Sequence, residues 1–207
     1  GMNTLGQLYI VQGRFAETEK LWREAYETGL RVMGEDDRRV LVWAGNLAGV
    51  YVDLGKLAEA EPLRRDSLTR ARRILGEEHP DTLIYIMMMG KLLQRERKFA
   101  EAEPYLREVL EKRRTLLGPN HRSTLNSMDH LASLFTEQEK YADAAQIFRE
   151  ALDLRKRFLP PRDPDTQFNL GYLARALEMM NKPAEAEGFV RELLDMRVAT
   201  LPAGAYR

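Results

Sequence analysis

The chain repeats itself at a constant step of 42 residues, and that step limits what it can fold into. Gly13-Arg14-Phe15-Ala16-Glu17 returns as Gly55-Lys56-Leu57-Ala58-Glu59 and Arg97-Lys98-Phe99-Ala100-Glu101, then as Glu139-Lys140-Tyr141-Ala142-Asp143 and Asn181-Lys182-Pro183-Ala184-Glu185. A second register keeps the same step. It reads Leu75-Gly76-Glu77-Glu78-His79-Pro80-Asp81-Thr82, Leu117-Gly118-Pro119-Asn120-His121-Arg122-Ser123-Thr124 and Leu159-Pro160-Pro161-Arg162-Asp163-Pro164-Asp165-Thr166, with Met33-Gly34-Glu35-Asp36-Asp37 as a weaker copy. Coincidence does not give five copies at one period without insertion. The chain therefore reads as a single array of about five repeats, approximately 1–40, 41–82, 83–124, 125–166 and 167–207. A repeat of this length cannot bury its apolar face alone, so stacking on its neighbours must supply the core.

Within each repeat the apolar spacing is helical. Leu47, Ala48, Val50, Tyr51 and Leu54 fall three and four apart, Gly55-Lys56 interrupts, and Leu57, Ala60, Leu63, Leu68, Ala71, Ile74 and Leu75 form the next stripe. Gly76 stands where a glycine ends a helix, and Pro80 suits the first turn of the following one, helped by Asp81 and Thr82. No apolar segment alternates with period two, so the fold class expected is all-α. Ala60, Ala102, Ala144 and Ala186, with Thr18 in the first repeat, recur where two helices must cross closely. Tyr9, Tyr51, Leu93, Phe135 and Leu177 should fill the space beneath. Pro62 and Pro104 lie about one turn into their helices, which predicts a tight first turn and no break. Glutamates crowd the starts of the second helices. Arginines and lysines crowd their ends, Arg113 and Arg155 among them. Both placements suit the helix macrodipole and read as a solvated surface.

Composition removes several classes of function. There are 32 basic and 32 acidic residues, a net charge of zero, which argues against a whole-chain polyanion binder and leaves only local basic patches. The basic helix ends lack the interleaved aromatics of a nucleic-acid surface, and Glu111 and Asp153 offset them, so no nucleic-acid partner is expected. The absence of cysteine excludes disulfides, thiol nucleophiles and thiolate metal sites, and it fits a reducing, cytoplasmic compartment. No apolar run is long enough to cross a membrane, so no membrane partner is expected. Gly1 before Met2 looks like a cleavage scar, not a signal peptide. No phosphate loop, nucleophile elbow or zinc-helix motif is present, which predicts a protein that is not an enzyme and has no cofactor or metal. His79 and His121 occupy equivalent linkers, so the repeat itself accounts for them. By register the first helix opens before Met2. At the other end Leu201-Pro202-Ala203-Gly204 stands at a linker position with no cap after it. Either the chain is an excerpt of a longer protein, or self-association covers its ends.

The pattern Asn46-Leu47-Ala48-x-x-Tyr51-x-x-x-Gly55-Lys56-Leu57-x-Glu59-Ala60-Glu61-x-Leu63 resembles a tetratricopeptide repeat. The 42-residue step and the Leu-Gly-x-x-His-Pro-Asp-Thr linker resemble the long subclass found in kinesin light chains. Met89-Gly90 departs from the pattern, as do Arg97, Glu139 and Asn181 at the turn glycine. The resemblance implies a right-handed superhelical solenoid whose first helices line a concave groove for extended peptides or partner helices. Carried onto this chain, it gives Asn46, Met88, Lys91, Arg95, Asn126, His130, Tyr172 and Arg175 as the groove residues. Asn3, Gln7, Met87 and Asp129 fall in the same register, and Met89 falls in the core. Ile84 and Met88 stand where a chaperone-type carboxylate clamp needs bases, so that ligand is not expected. Lys91, Arg95 and Arg175 suit an acidic segment, and the methionines suit an apolar anchor. The implied function is a non-catalytic scaffold binding protein or peptide. The alternatives are a self-assembling structural array, or the regulatory or sensing domain of a larger signalling protein with catalysis elsewhere.

Overall fold

The computed structural model describes residues 2–160 and 163–198, without the side chains of Met2, Asn3 and Gln7. The linker position at 201–204 lies outside the described residues. Among the described residues ten helices follow one another: α1 Met2–Val11, α2 Phe15–Met33, α3 Arg38–Asp53, α4 Leu57–Leu75, α5 Pro80–Arg95, α6 Phe99–Leu117, α7 Arg122–Glu137, α8 Tyr141–Phe158, α9 Pro164–Met179 and α10 Pro183–Val198. No strand occurs among the described residues. The fold is an all-α helical solenoid. Pro62 and Pro104 sit inside unbroken helices α4 and α6.

The linkers between pairs end in a capping side chain at the same position every 42 residues. Asp37, His79, His121 and Asp163 each accept a hydrogen bond from the backbone N–H two residues on, at 2.8–3.1 Å. Each thereby satisfies one of the orphan donors of a helix start. This explains the two linker histidines: both are N-caps through Nδ1. The turn inside each pair needs a left-handed residue. Gly13 and Gly55 supply it with φ of +70° and +73°, while Arg97, Glu139 and Asn181 are held there at +59°, +62° and +57°. For Arg97 and Glu139 that conformation is strained by the Cβ.

The chain packs as two compact halves, Gly1–Tyr105 and Leu106–Arg207. In the first, Trp22, Ala25, Leu47 and Val50 form a buried cluster, with Tyr26, Trp43, Tyr51, Leu54 and Leu63 against it. Gly29 is required there, since a Cβ on it would lie 2.6 Å from the Trp43 ring. Thr18, Ala60 and Ala102 are fully buried in this half, as are Ala144 and Ala186 in the second. Met89 and Leu93 are in the core of the first, and Phe135 and Leu177 in that of the second. Tyr9 and Tyr51 are half-buried.

Ion pairs, most of them solvent-accessible, link successive second helices or the residue just before them. They are Lys56–Glu19 (2.7 Å), Lys98–Glu61 (2.6 Å) and Arg65–Glu101 (3.2 Å) in the first half. Arg114–Glu150 (3.2 Å), Arg149–Glu185 (2.5 Å) and Lys156–Glu192 (2.8 Å) do the same in the second. Each is exposed enough to contribute about 1 kcal/mol or less.

Two of the basic helix ends are not solvated, contrary to the expectation from sequence. Arg155 is 1% exposed and Arg113 is 8% exposed. Arg113 donates to Ser127 Oγ at 2.9 Å and to the Ser123 carbonyl at 3.2 Å. Arg155 grips Asp129 with both terminal nitrogens, at 2.6 and 3.1 Å. The two arginines occupy one column of the repeat, where the second repeat has the fully buried Ala71. Position along the helix suggested solvent, but the side of the helix decided burial.

Candidate functional site

In the first half, Met88, Lys91 and Arg95 of α5 line one cavity of about 190 Å³. Gly49, Val52 and Asp53 of α3 form its facing wall, and Arg64 of α4 closes its base. The spacing places the three α5 side chains on one helix face. Arg64 is only 6% exposed, and its Nη1 lies 2.7 Å from Met88 Sδ. Burial pushes its guanidinium down to about 10, with Tyr85 and Asp53 opposing the shift. Burial also holds the Lys91 ammonium below the usual lysine value, and Arg95 and Arg64 repel it further. Arg95 donates to the Val52 carbonyl at 3.2 Å. The result is a cavity in which three cations stand among the apolar side chains of Val52, Met88 and Leu92. Asn46 is half-buried on α3 and is not among the cavity's lining residues.

In the second half, Tyr172 and Arg175 line a separate depression of about 230 Å³ with Gln167, Phe168, Gly171 and Arg197. The Tyr172 ring lies 4.3 Å from that of Phe168 and 5.8 Å from that of Phe148, which fixes its orientation. His130 is half-buried on α7. Asn126 is partly engaged, its Oδ1 accepting from Arg155 Nη2 at 3.1 Å. Two further residues of the groove register turn inward instead: Met87 and Asp129 are buried. Asp129 accepts from Arg155 and, at 2.9 Å, from Asn169 Nδ2. Burial pushes its carboxyl up to about 6, and Arg155 and Asn169 pull it back. The Asn3 and Gln7 side chains lie outside the described residues.

Sequence reasoning missed Arg64. Its signal is in the repeat, because the equivalent positions hold Trp22, Leu106 and Phe148, all buried. Among the described residues no group of acidic or histidine side chains could hold a metal ion. No described helix is long and apolar enough to cross a membrane.

Paired helices at a fixed step, small residues at each crossing and capped linkers define a helical repeat protein. Its sequence matches the tetratricopeptide repeat family over residues 1–63, 39–115 and 84–157, and again over 130–199. The chain belongs to that family, whose arrays serve as scaffolds for protein interaction. Its repeats resemble those of kinesin light chains. The Podosopora anserina kinesin light chain nearly identical TPR-like repeats superpose with a TM-score of 0.85 at 20% identity, over 98% of this chain and 96% of that one. BtubC (BKLC) from P. vanneervenii gives 0.84 at 21% identity, over 100% and 83%. MamA from Desulfovibrio magneticus RS-1 gives 0.68 at 13% identity, over 97% and 96%. At these identities the likeness establishes the fold alone. No curated protein is similar enough in sequence to count as a relative.

Proposed function

We propose that the chain is a non-catalytic binding scaffold that takes an extended acidic peptide segment with an apolar anchor on the faces of its first helices. The observation that carries this reading is the cavity at Met88, Lys91 and Arg95, where cations stand among apolar side chains. An acidic group meets the cations and loses little solvation, while an apolar side chain covers methionine, which adapts to its shape. Lys91 and Arg95 reach solvent at the mouth of the cavity, and neither forms an ion pair with a carboxylate among the described residues, which suits them to serve a ligand. In the second half, Phe168, Tyr172 and Arg175 offer the same chemistry, an aromatic surface beside a cation.

Selection from a phage-displayed random peptide library tests this. Enriched peptides should carry acidic residues beside an apolar one, and their binding should weaken with salt as screening rises. Lys91→Glu with Arg95→Glu should weaken binding and leave the melting temperature nearly unchanged. Arg73→Glu, at an exposed helix end, is the control and should bind as wild type. Arg113 cannot serve as that control, being buried. Failure to enrich any sequence, or equal binding by the double variant, would refute the reading.

A further inference from the structure

Arg64 presents a problem that the fold alone does not solve. In its column of the repeat the other buried residues are Trp22, Leu106 and Phe148, so a charge stands where the solenoid core takes an apolar side chain. Its Nε is buried and has no hydrogen-bond partner. Its Nη1 faces a thioether sulfur, which is a weak acceptor. None of Arg64, Lys91 and Arg95 forms an ion pair with a carboxylate among the described residues, although other basic residues on the second helices commonly do. Asp53 is the one carboxylate lining the cavity. Three cations against one carboxylate leave the cavity a net charge of +2. A buried, unpaired guanidinium is costly, and an anion entering beside it removes that cost.

We propose that Arg64, Lys91 and Arg95 form an oxyanion site for a doubly charged group, with buried Arg64 as its specificity-determining base. The geometry suits that ligand. A guanidinium presents paired donors that match a planar or tetrahedral oxyanion, and the apolar surroundings of Met88 and Leu92 strengthen the attraction. Gly49 leaves the wall opposite open: a Cβ there would lie 3.6 Å from Arg64 Nη2, so no side chain shields the guanidinium from that direction. A dianion matches the cavity's charge. It is either a phosphoryl group or two neighbouring carboxylates carried by the bound segment. The peptide carrier rests on the protein-binding reading above; the anion site itself does not.

The test uses free anions and no peptide, so its outcome is separate from that of the library selection. The whole chain is titrated with inorganic phosphate and with succinate at neutral pH and constant ionic strength, against chloride, while backbone amide shifts are followed by NMR. The amides of Gly49, Asp53 and Lys91 should shift saturably with at least one of the two dianions. Phosphate as the tighter probe identifies a phosphoryl source, and succinate a carboxylate source. Acetate should bind about tenfold more weakly than the better dianion, because it meets the same donors with half the charge. Arg64→Leu installs the residue found at 106, so the fold should survive without the site. It should lose the response, and the dianion should no longer raise its melting temperature. Should Arg64→Leu not fold, Lys91→Met with Arg95→Met removes the exposed cations and should weaken the better dianion by about tenfold. A silent wild type, or saturable binding that survives in Arg64→Leu, overturns the proposal.

Discussion

Removing Arg155 should be among the most damaging single changes in the second half of the chain, although the residue lies in the last turn of α8. Its side chain is fully buried and makes three hydrogen bonds, two to Asp129 and one to Asn126. Arg155→Ala deletes all three, opens a void and leaves Asp129 a buried carboxylate held by Asn169 alone. Breaking a buried pair on one side costs about 3–5 kcal/mol. Ala144→Leu, which overpacks a fully buried crossing, costs about 1–3 kcal/mol and is the comparison. The double variant Arg155→Met with Asp129→Met removes both charges. Met87 already occupies the column of Asp129, so the double variant should cost less than Arg155→Ala, with a residual loss of about 1–3 kcal/mol from the buried Asn169 amide that donated to Asp129. The pH dependence adds a second check. The Asp129 carboxyl is raised to about 6 in the fold, above its unfolded value near 4, so its contribution to stability is fully present below about pH 4 and is lost as pH rises through about 6. Arg155 restrains that rise, so in Arg155→Ala the carboxyl moves higher still. The variant's deficit should therefore be larger at about pH 8 than at about pH 5. Urea unfolding followed by circular dichroism at both pH values measures all of this. A deficit of about 0.5 kcal/mol or less for Arg155→Ala, the range of an exposed substitution, would refute the buried-pair argument.

The turns and caps give two further tests. Glu139→Gly relieves a non-glycine residue held at φ +62° and should stabilise by about 0.5–1 kcal/mol, read as a higher urea midpoint at unchanged slope. A lower midpoint would mean that the side chain contributes more than the strain. His121→Ala deletes an N-cap and should cost about 1 kcal/mol by the same assay, whereas His121→Asp installs the residue found at 37 and 163 and should cost nothing. Equal losses from the two substitutions would show that capping is not what His121 does.

Much of this architecture was readable because a solenoid writes each structural decision several times. The 42-residue step located both helices of each repeat, and the recurrent alanines marked the crossings that are fully buried. The linker histidines were recognised as repeat features, but their capping role needed the backbone geometry that aims Nδ1 at the N–H two residues on. The charged core was illegible to a reading along the chain. Arg155 and Arg113 sit in a basic run at a helix end, where the macrodipole alone accounts for them. Only the facing residues, Asp129 and Asn126 for one and Ser127 for the other, show that these two turn inward. A reading down the columns does better. Arg64 stands beneath Trp22 and above Leu106 and Phe148, and that mismatch was visible before any coordinate. The cavity itself was half legible: Lys91 and Arg95 share a helix face by their spacing, but the base contributed by α4 depends on helix packing.

The most direct test of the binding surface is site-specific photocrosslinking to a peptide enriched from the library. A benzoylphenylalanine replaces Met88 or Tyr172 on the first helices, and separately Arg73 or Lys156 at exposed ends of the second helices. Binding through a first-helix face predicts crosslinks from position 88 or position 172, competed by unlabelled peptide, and none from 73 and 156. Crosslinks from 73 and 156 with none from 88 and 172 would contradict it, placing the peptide on the second helices instead.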